Sequence, residues 1–290
     1  TGVLVAPSLV LTAGHCDSPD LDTVFVGGTD LWDFSTGEVV PIQSRIRYPE
    51  SWRTYDVMLL ELATPATAAP ASIARGCALE YLRDDATVEL VGFGATDVWG
   101  TIATHILRQA RTTISDADCS QTDRGCHAAV QPGGELIAGG AGTDTCTGDS
   151  GGPLYLWTPW GQPVLAGLTS RASSPADTPC GDGGIYVRAD AIADWVETTS
   201  GQLLLDPDCD ADHLSAAIPD LSVPGLEDSA IDTGFTPGPA PEQAGGCGCQ
   251  TVQTAHSIPW LIWAFSFLAW TRARNPVPDK RTSDTKRLSR

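Results

Sequence analysis

Lysine is absent from the first 271 residues of this 290-residue chain. Ten arginines there stand against thirty-four acids, a formal charge of 10 − 34 = −24. So acidic a body repels phosphate, which excludes nucleic-acid binding by charge neutralisation. Zinc-ligand spacing is lacking too. None of the cysteine spacings before Cys247 fits a zinc site, and only His15 and His127 of the five histidines stand directly beside a cysteine. Neither metal nor cofactor is expected. Nor is there a run of about twenty apolar residues, the length that crosses a bilayer as a helix. IPWLIWAFSFLAW, at 258–270, has thirteen residues. Only with the preceding TVQTAHS does it reach a marginal span.

Cysteine is plentiful by contrast, with nine at positions 16, 77, 119, 126, 146, 180, 209, 247 and 249. A disulfide framework made in an oxidising compartment is the reading that remains, and with it secretion. The odd count leaves one thiol free or paired outside the chain. An apolar content of 42% provides for a core, and thirty glycines with twenty-one prolines suit a loop-rich all-β protein.

Short β-rich runs alternate with turn residues across 1–205: VLVAPSLVLTA at 3–13, DVMLLEL at 56–62, TVELVGFG at 87–94, PVLAGLTS at 163–170 and GIYVRA at 184–189. The segment 189–200 has helical spacing, with Ile192, Trp195 and Val196 on one side. Many short strands and one terminal helix point to a barrel or sandwich. The stretch 206–246 is acidic and rich in proline and glycine, and buries too little to order itself, so it reads as a linker. Residues 247–274 form a cysteine-containing, short membrane or sorting segment, and 275–290 a basic tail. The positive charge behind the apolar stretch is what a cytoplasmic stop carries.

Three segments carry chemistry. TAGHC at 12–16 places His15 directly after an apolar run. Asp56 opens the strand-like VMLLEL, where an aspartate is costly unless something hydrogen-bonds it. GDSGGP at 148–153 frames Ser150 with glycines, leaving its backbone amides free to converge on one point, as an oxyanion hole requires. Each has a bland alternative: a satisfied histidine, a turn aspartate, a glycine-rich turn.

Together, in the order His, Asp, Ser, they resemble the chymotrypsin family of serine peptidases. The likeness covers roughly 1–200 and includes VGFG at 91–94 and the closing IYVR and DWV. It implies an all-β fold of two six-stranded antiparallel β-barrels with a C-terminal helix, N-terminal strands missing. It implies a serine endopeptidase in which Ser150 is the nucleophile, His15 the general base and Asp56 its orienting partner. The amides of Gly148 and Ser150 would bind the oxyanion. Asp144, six residues before Ser150, matches the floor of a trypsin-like primary pocket, implying cleavage after Arg or Lys. Ser170 and Gly184 match other substrate-binding positions. The family's usual Trp-Gly after that serine is replaced by Arg171-Ala172, which puts a methyl at the pocket rim and leaves the extended subsites open.

The resemblance further implies disulfides joining Cys146 to Cys180 and Cys119 to Cys126, the latter local because the usual later position falls at Ile137. Cys16 would pair with a cysteine upstream of Thr1. A signal peptide, an activation site and a first strand are not found, so we expect the chain to start inside its domain and the full protein to be a zymogen. Asp149 would pair with the ammonium freed on activation. The pairing of Cys77 and Cys209 stays open. GGCGC at 245–249 with its apolar and basic followers resembles MYXO-CTERM sorting signals of myxobacteria, implying a surface anchor. The expected protein is a monomer acting on proteins or peptides, bound to a membrane by its tail. A catalytically silent module on the same fold, an inactive fragment and a structural adhesin are the alternatives.

Overall fold

Apolar residues at nearly every position of 3–13 and 56–62 call for strands covered on both faces. The computed structural model, which describes residues 1–49, 55–127 and 134–209, shows why. Strands β1 (Val3–Ala6) and β2 (Leu9–Thr12) form a hairpin. With β3 (Thr23–Val26), β4 (Glu38–Arg47) and β5 (Met58–Leu62) they make a five-stranded antiparallel sheet in the order β1-β2-β5-β4-β3. One face, with Leu4, Val10, Val24, Met58 and Leu60, encloses its own core. The other, with Val3, Val5, Leu11 and Leu59, packs against Tyr155, Leu165 and Val187 of a second unit.

That second unit is a closed six-stranded barrel, β10-β11-β8-β7-β6-β9. Its strands are β6 (Thr87–Gly92), β7 (Arg108–Asp116), β8 (Glu135–Ala138), β9 (Pro153–Trp157), β10 (Pro163–Ala172) and β11 (Gly184–Arg188). Val88, Leu90, Ile114, Leu136, Leu154, Leu156 and Tyr186 fill it. Each such side chain contributes about 1.5–3 kcal/mol on burial. The all-β expectation holds, with one closed barrel and one half-barrel of five strands.

The helix α1 (Ala189–Ser200) lies where the periodicity put it. Ile192, Ala193 and Val196 face the core between the two units, and Gly201 ends the helix in the left-handed conformation at φ 69°. The chain then returns to the domain. Leu204 is buried, Arg75 bonds the Leu204 carbonyl at 2.9 Å and pairs with Glu197 and Asp206, and Cys209 is disulfide-bonded to Cys77. The domain therefore holds the chain through Cys209, inside the stretch read as a linker. The rest of that linker, the Cys247/Cys249 segment and the basic tail lie outside the described residues. Among the described residues no helix is long and apolar enough to cross a membrane.

Candidate active site

The site is assembled at the seam between the units by three chain segments. The first two meet through strand pairing. Thr12 of β2 lies opposite Met58 of β5, so the residues just beyond one strand and just before the other come together. His15, on a short 3₁₀ turn (Gly14–Cys16), thereby reaches buried Asp56 twice. Its backbone N–H donates to Asp56 Oδ1 at 2.8 Å, and its ring Nδ1 lies 2.6 Å from Oδ2. The hydroxyl of Ser170, on β10, donates to the same Oδ2 at 2.8 Å.

The third segment is the glycine-framed turn between β8 and β9. At Gly151 (φ +77°) a Cβ would overlap Thr12 Oγ1 and Ala13 N, so only glycine lets this turn meet the end of β2 backbone to backbone. That contact lies one residue from Ser150 and two from His15. Cys16 closes it, with its thiol 3.8 Å from the Ser150 carbonyl. The Ser150 hydroxyl makes no hydrogen bond to the imidazole in this structure; such bonds are often long without substrate. Gly148, at φ +101°, turns the chain so that its amide and that of Ser150 have no protein acceptor among the described residues. The amides between and beyond them are used, Asp149 N by the Cys146 carbonyl and Gly151 N by that of Thr169.

Electrostatics follow from burial. The Asp56 hydrogen bond, reinforced by the Cys16 thiol, pushes His15 up to about 10. Burial drives the Asp56 carboxyl up, but bonds from His15 and Ser170 outweigh it and hold it below its ordinary value. Asp149 is pushed up by burial, although Cys146 N and Gly94 N donate to it at 2.9 and 2.8 Å.

Asp144 lies two residues before Cys146, whose disulfide to Cys180 spans 5.3 Å between Cα atoms. Its carboxylate accepts from Gly181 N at 2.6 Å and Gly183 N at 2.8 Å, and burial raises its pKa despite these donors. Gly184 sits beside it under Tyr186, where a Cβ would lie 3.0 Å from Tyr186 Oη and 3.1 Å from Thr145 Oγ1. Ala172 pairs with Gly184 across β10 and β11 and is exposed. Cys119 and Cys126 are bonded to each other, and Cys16 has no disulfide partner among the described residues.

Sequence reasoning passed over Glu135 and Arg124. Buried Glu135 holds Arg171 with both oxygens at 2.8 Å. Arg124 donates to Ser173 Oγ at 3.2 Å and to the Asp182 carbonyl at 3.0 Å, beside Gly181 and Gly183, whose amides bond Asp144. An acid opening an apolar strand was the available signal for Glu135.

The chain is similar to known proteins in sequence and in fold. The trypsin family profile matches residues 1–196. The chain is 31% identical to the trypsin of Saccharopolyspora erythraea over 200 residues, covering 67% of this chain and 83% of that protein. It is 32% identical to human serine protease 56 over 230 residues, 72% of this chain but 36% of the relative. The fold is similar to that of neuropsin, a serine protease expressed in the limbic system of mouse brain, with a TM-score of 0.55 and 27% identity over 69% of this chain and 87% of that one. The chain belongs to the trypsin family of serine endopeptidases.

Proposed function

We propose that the chain cleaves proteins or peptides after Arg or Lys by acyl transfer through Ser150. The observation that carries this is His15, bonded twice to buried Asp56 and set against a turn in which the amides of Gly148 and Ser150 have no acceptor among the described residues. Ser150 Oγ attacks the scissile carbonyl while His15 Nε2 takes its proton. The oxyanion forms where the amides of Gly148 and Ser150 point. His15 then returns the proton to the leaving amine, the C–N bond breaks, and an acyl-enzyme remains on Ser150. Water, deprotonated by His15, releases the acid product. Asp56 keeps the imidazole in the tautomer this sequence needs and stabilises its protonated form.

Asp144 supports the specificity. It is a partly buried carboxylate whose donors among the described residues are two backbone amides, so a substrate guanidinium or ammonium gains a charge-assisted bond there. The disulfides support export, and the sequence of 247–274 supports attachment at the cell surface. Asp149 supports control by activation, since a cation beside it would offset the burial that raises its pKa.

The test is a fluorophosphonate label on the full protein with Ser150→Ala as control, followed by peptidyl amides varied at the residue before the cleaved bond. Ser150-dependent labelling and cleavage confined to Arg and Lys amides are expected. Absence of that label sinks the peptidase reading in favour of a binding module; cleavage after other residues sinks the specificity alone.

A further inference from the structure

Arg171 stands where the resemblance would place a tryptophan, and its guanidinium turns inward. Nη1 donates to Glu135 Oε1 at 2.8 Å and to Ser170 Oγ at 3.3 Å. Nη2 donates to Glu135 Oε2 at 2.8 Å and to the Gly125 carbonyl at 3.0 Å. All four terminal N–H groups are therefore used. Glu135 is 0% exposed against 31% for Arg171, and its Oε2 also accepts from His127 N at 2.9 Å. A carboxylate so buried fixes the guanidinium rather than the reverse.

The consequence lies at Ser170. A hydroxyl has one hydrogen, and a guanidinium accepts nothing. With Arg171 donating into the lone pair, the Ser170 hydrogen is committed to Asp56 Oδ2, 2.8 Å away. We infer that Arg171, held by Glu135, is a positioning residue for the catalytic aspartate, fixing and polarising the Ser170 hydroxyl that bonds Asp56. A donor chain of this kind strengthens each bond along it. The polarised hydroxyl draws negative charge off Asp56, and so limits how strongly Asp56 holds a proton on His15. The pair Arg171–Glu135 is neutral overall, so the effect travels through the bond and not through a field. Cys16 is the other titratable group facing the ring.

Arg171→Met alone leaves Glu135 charged and unpaired in a buried place, which threatens the fold. The informative variant is E135Q/R171M, neutral like the original pair. Its folding is checked by circular dichroism, and His15 is titrated by NMR of the imidazole protons. We expect the His15 midpoint to rise by about 0.3–0.5 pH units, on the scale of a polarised charge-assisted bond. The same shift, read as a rate, lowers kcat/KM at pH 7 about two- to threefold. In a Ser170→Ala background the double substitution should move nothing further. An unchanged midpoint in the folded variant overturns the proposal, as does an equal shift without Ser170. A fall in melting temperature alone, with the midpoint in place, assigns Arg171 a structural role and also overturns it. The rate readout rests on the peptidase reading. The titration does not, so an inactive wild type would sink that reading alone, and the His15 midpoint would still uphold or overturn this one.

Discussion

His15 is held by Asp56 at both its backbone and its ring, at 2.8 and 2.6 Å. The two hydrogen bonds fix the turn that carries the imidazole as well as the ring's tautomer. Asp56→Asn keeps the shape but offers the ring a donor where it needs an acceptor. Turnover should fall about 10⁴-fold, with the protein still folded. Stopped-time assays on an Arg amide, beside circular dichroism, check this; a loss below tenfold would refute the role of Asp56.

The Asp56 bond and the neighbouring Cys16 thiol both raise His15. A general base must be neutral to take the Ser150 proton, so kcat/KM should rise with pH up to His15's midpoint, which lies above the ordinary 6.5 or so. Capping Cys16 with a small neutral disulfide removes one of the two causes and should move that limb to lower pH. The stability sign is the opposite. A raised imidazole stabilises the fold fully below about pH 6.5 and loses that contribution as pH climbs through about 10. Overlapping pH profiles with and without the cap would show that Cys16 does not act on the ring.

Asp144 must be ionised to attract a cation, and its carboxyl is raised by burial. Affinity for Arg and Lys substrates should therefore weaken as pH falls through that raised value, seen as a rising KM at acid pH. Asp144→Asn should cost on the order of 10²–10³ in kcat/KM toward an Arg amide, since it leaves the substrate cation unpaired in the pocket. Equal activity of the variant on Arg and Leu amides is the expected signature. An undiminished preference for Arg would place the specificity elsewhere.

Cys77 and Cys209 are 132 residues apart in sequence and bonded in space. Replacing both by serine should cost about 2–5 kcal/mol and lower the Tm by roughly 5–15 °C. Activity per folded molecule should stay the same, because the bond lies on the far end of the β5–β6 connection and not at Ser150. Calorimetry and active-site titration separate the two effects; an unchanged Tm would show that the Arg75 contacts to Glu197, Asp206 and the Leu204 carbonyl suffice to hold the chain end.

Strands β1, β2, β5, β6, β10 and β11 were legible because their apolar runs are local and buried. Strands β4 and β7 were not. EVVPIQSRIR carries a proline and alternates with exposed polar residues, and RQARTTISD is mostly polar. Both are strands because β5 and β6 offer them partners, and that pairing has no local signature. His15, Asp56 and Ser150, the proposed catalytic residues, stood out for the reason the strands did, as short motifs whose chemistry is written in adjacent residues.

The order His15, Asp56, Ser150, the glycines around the nucleophile, the aspartate six residues before it and the closing helix were determined by sequence alone, because each depends on neighbours in the chain. The tertiary structure alone decided that Cys77 finds Cys209, that Glu135 captures Arg171, and that Arg171 reaches the aspartate through Ser170. Those partners are far apart in the chain and are chosen by which strands close the barrel. Burial then makes the choice binding, since a charge such as Glu135 is tolerated inside only where the fold delivers its counter-charge.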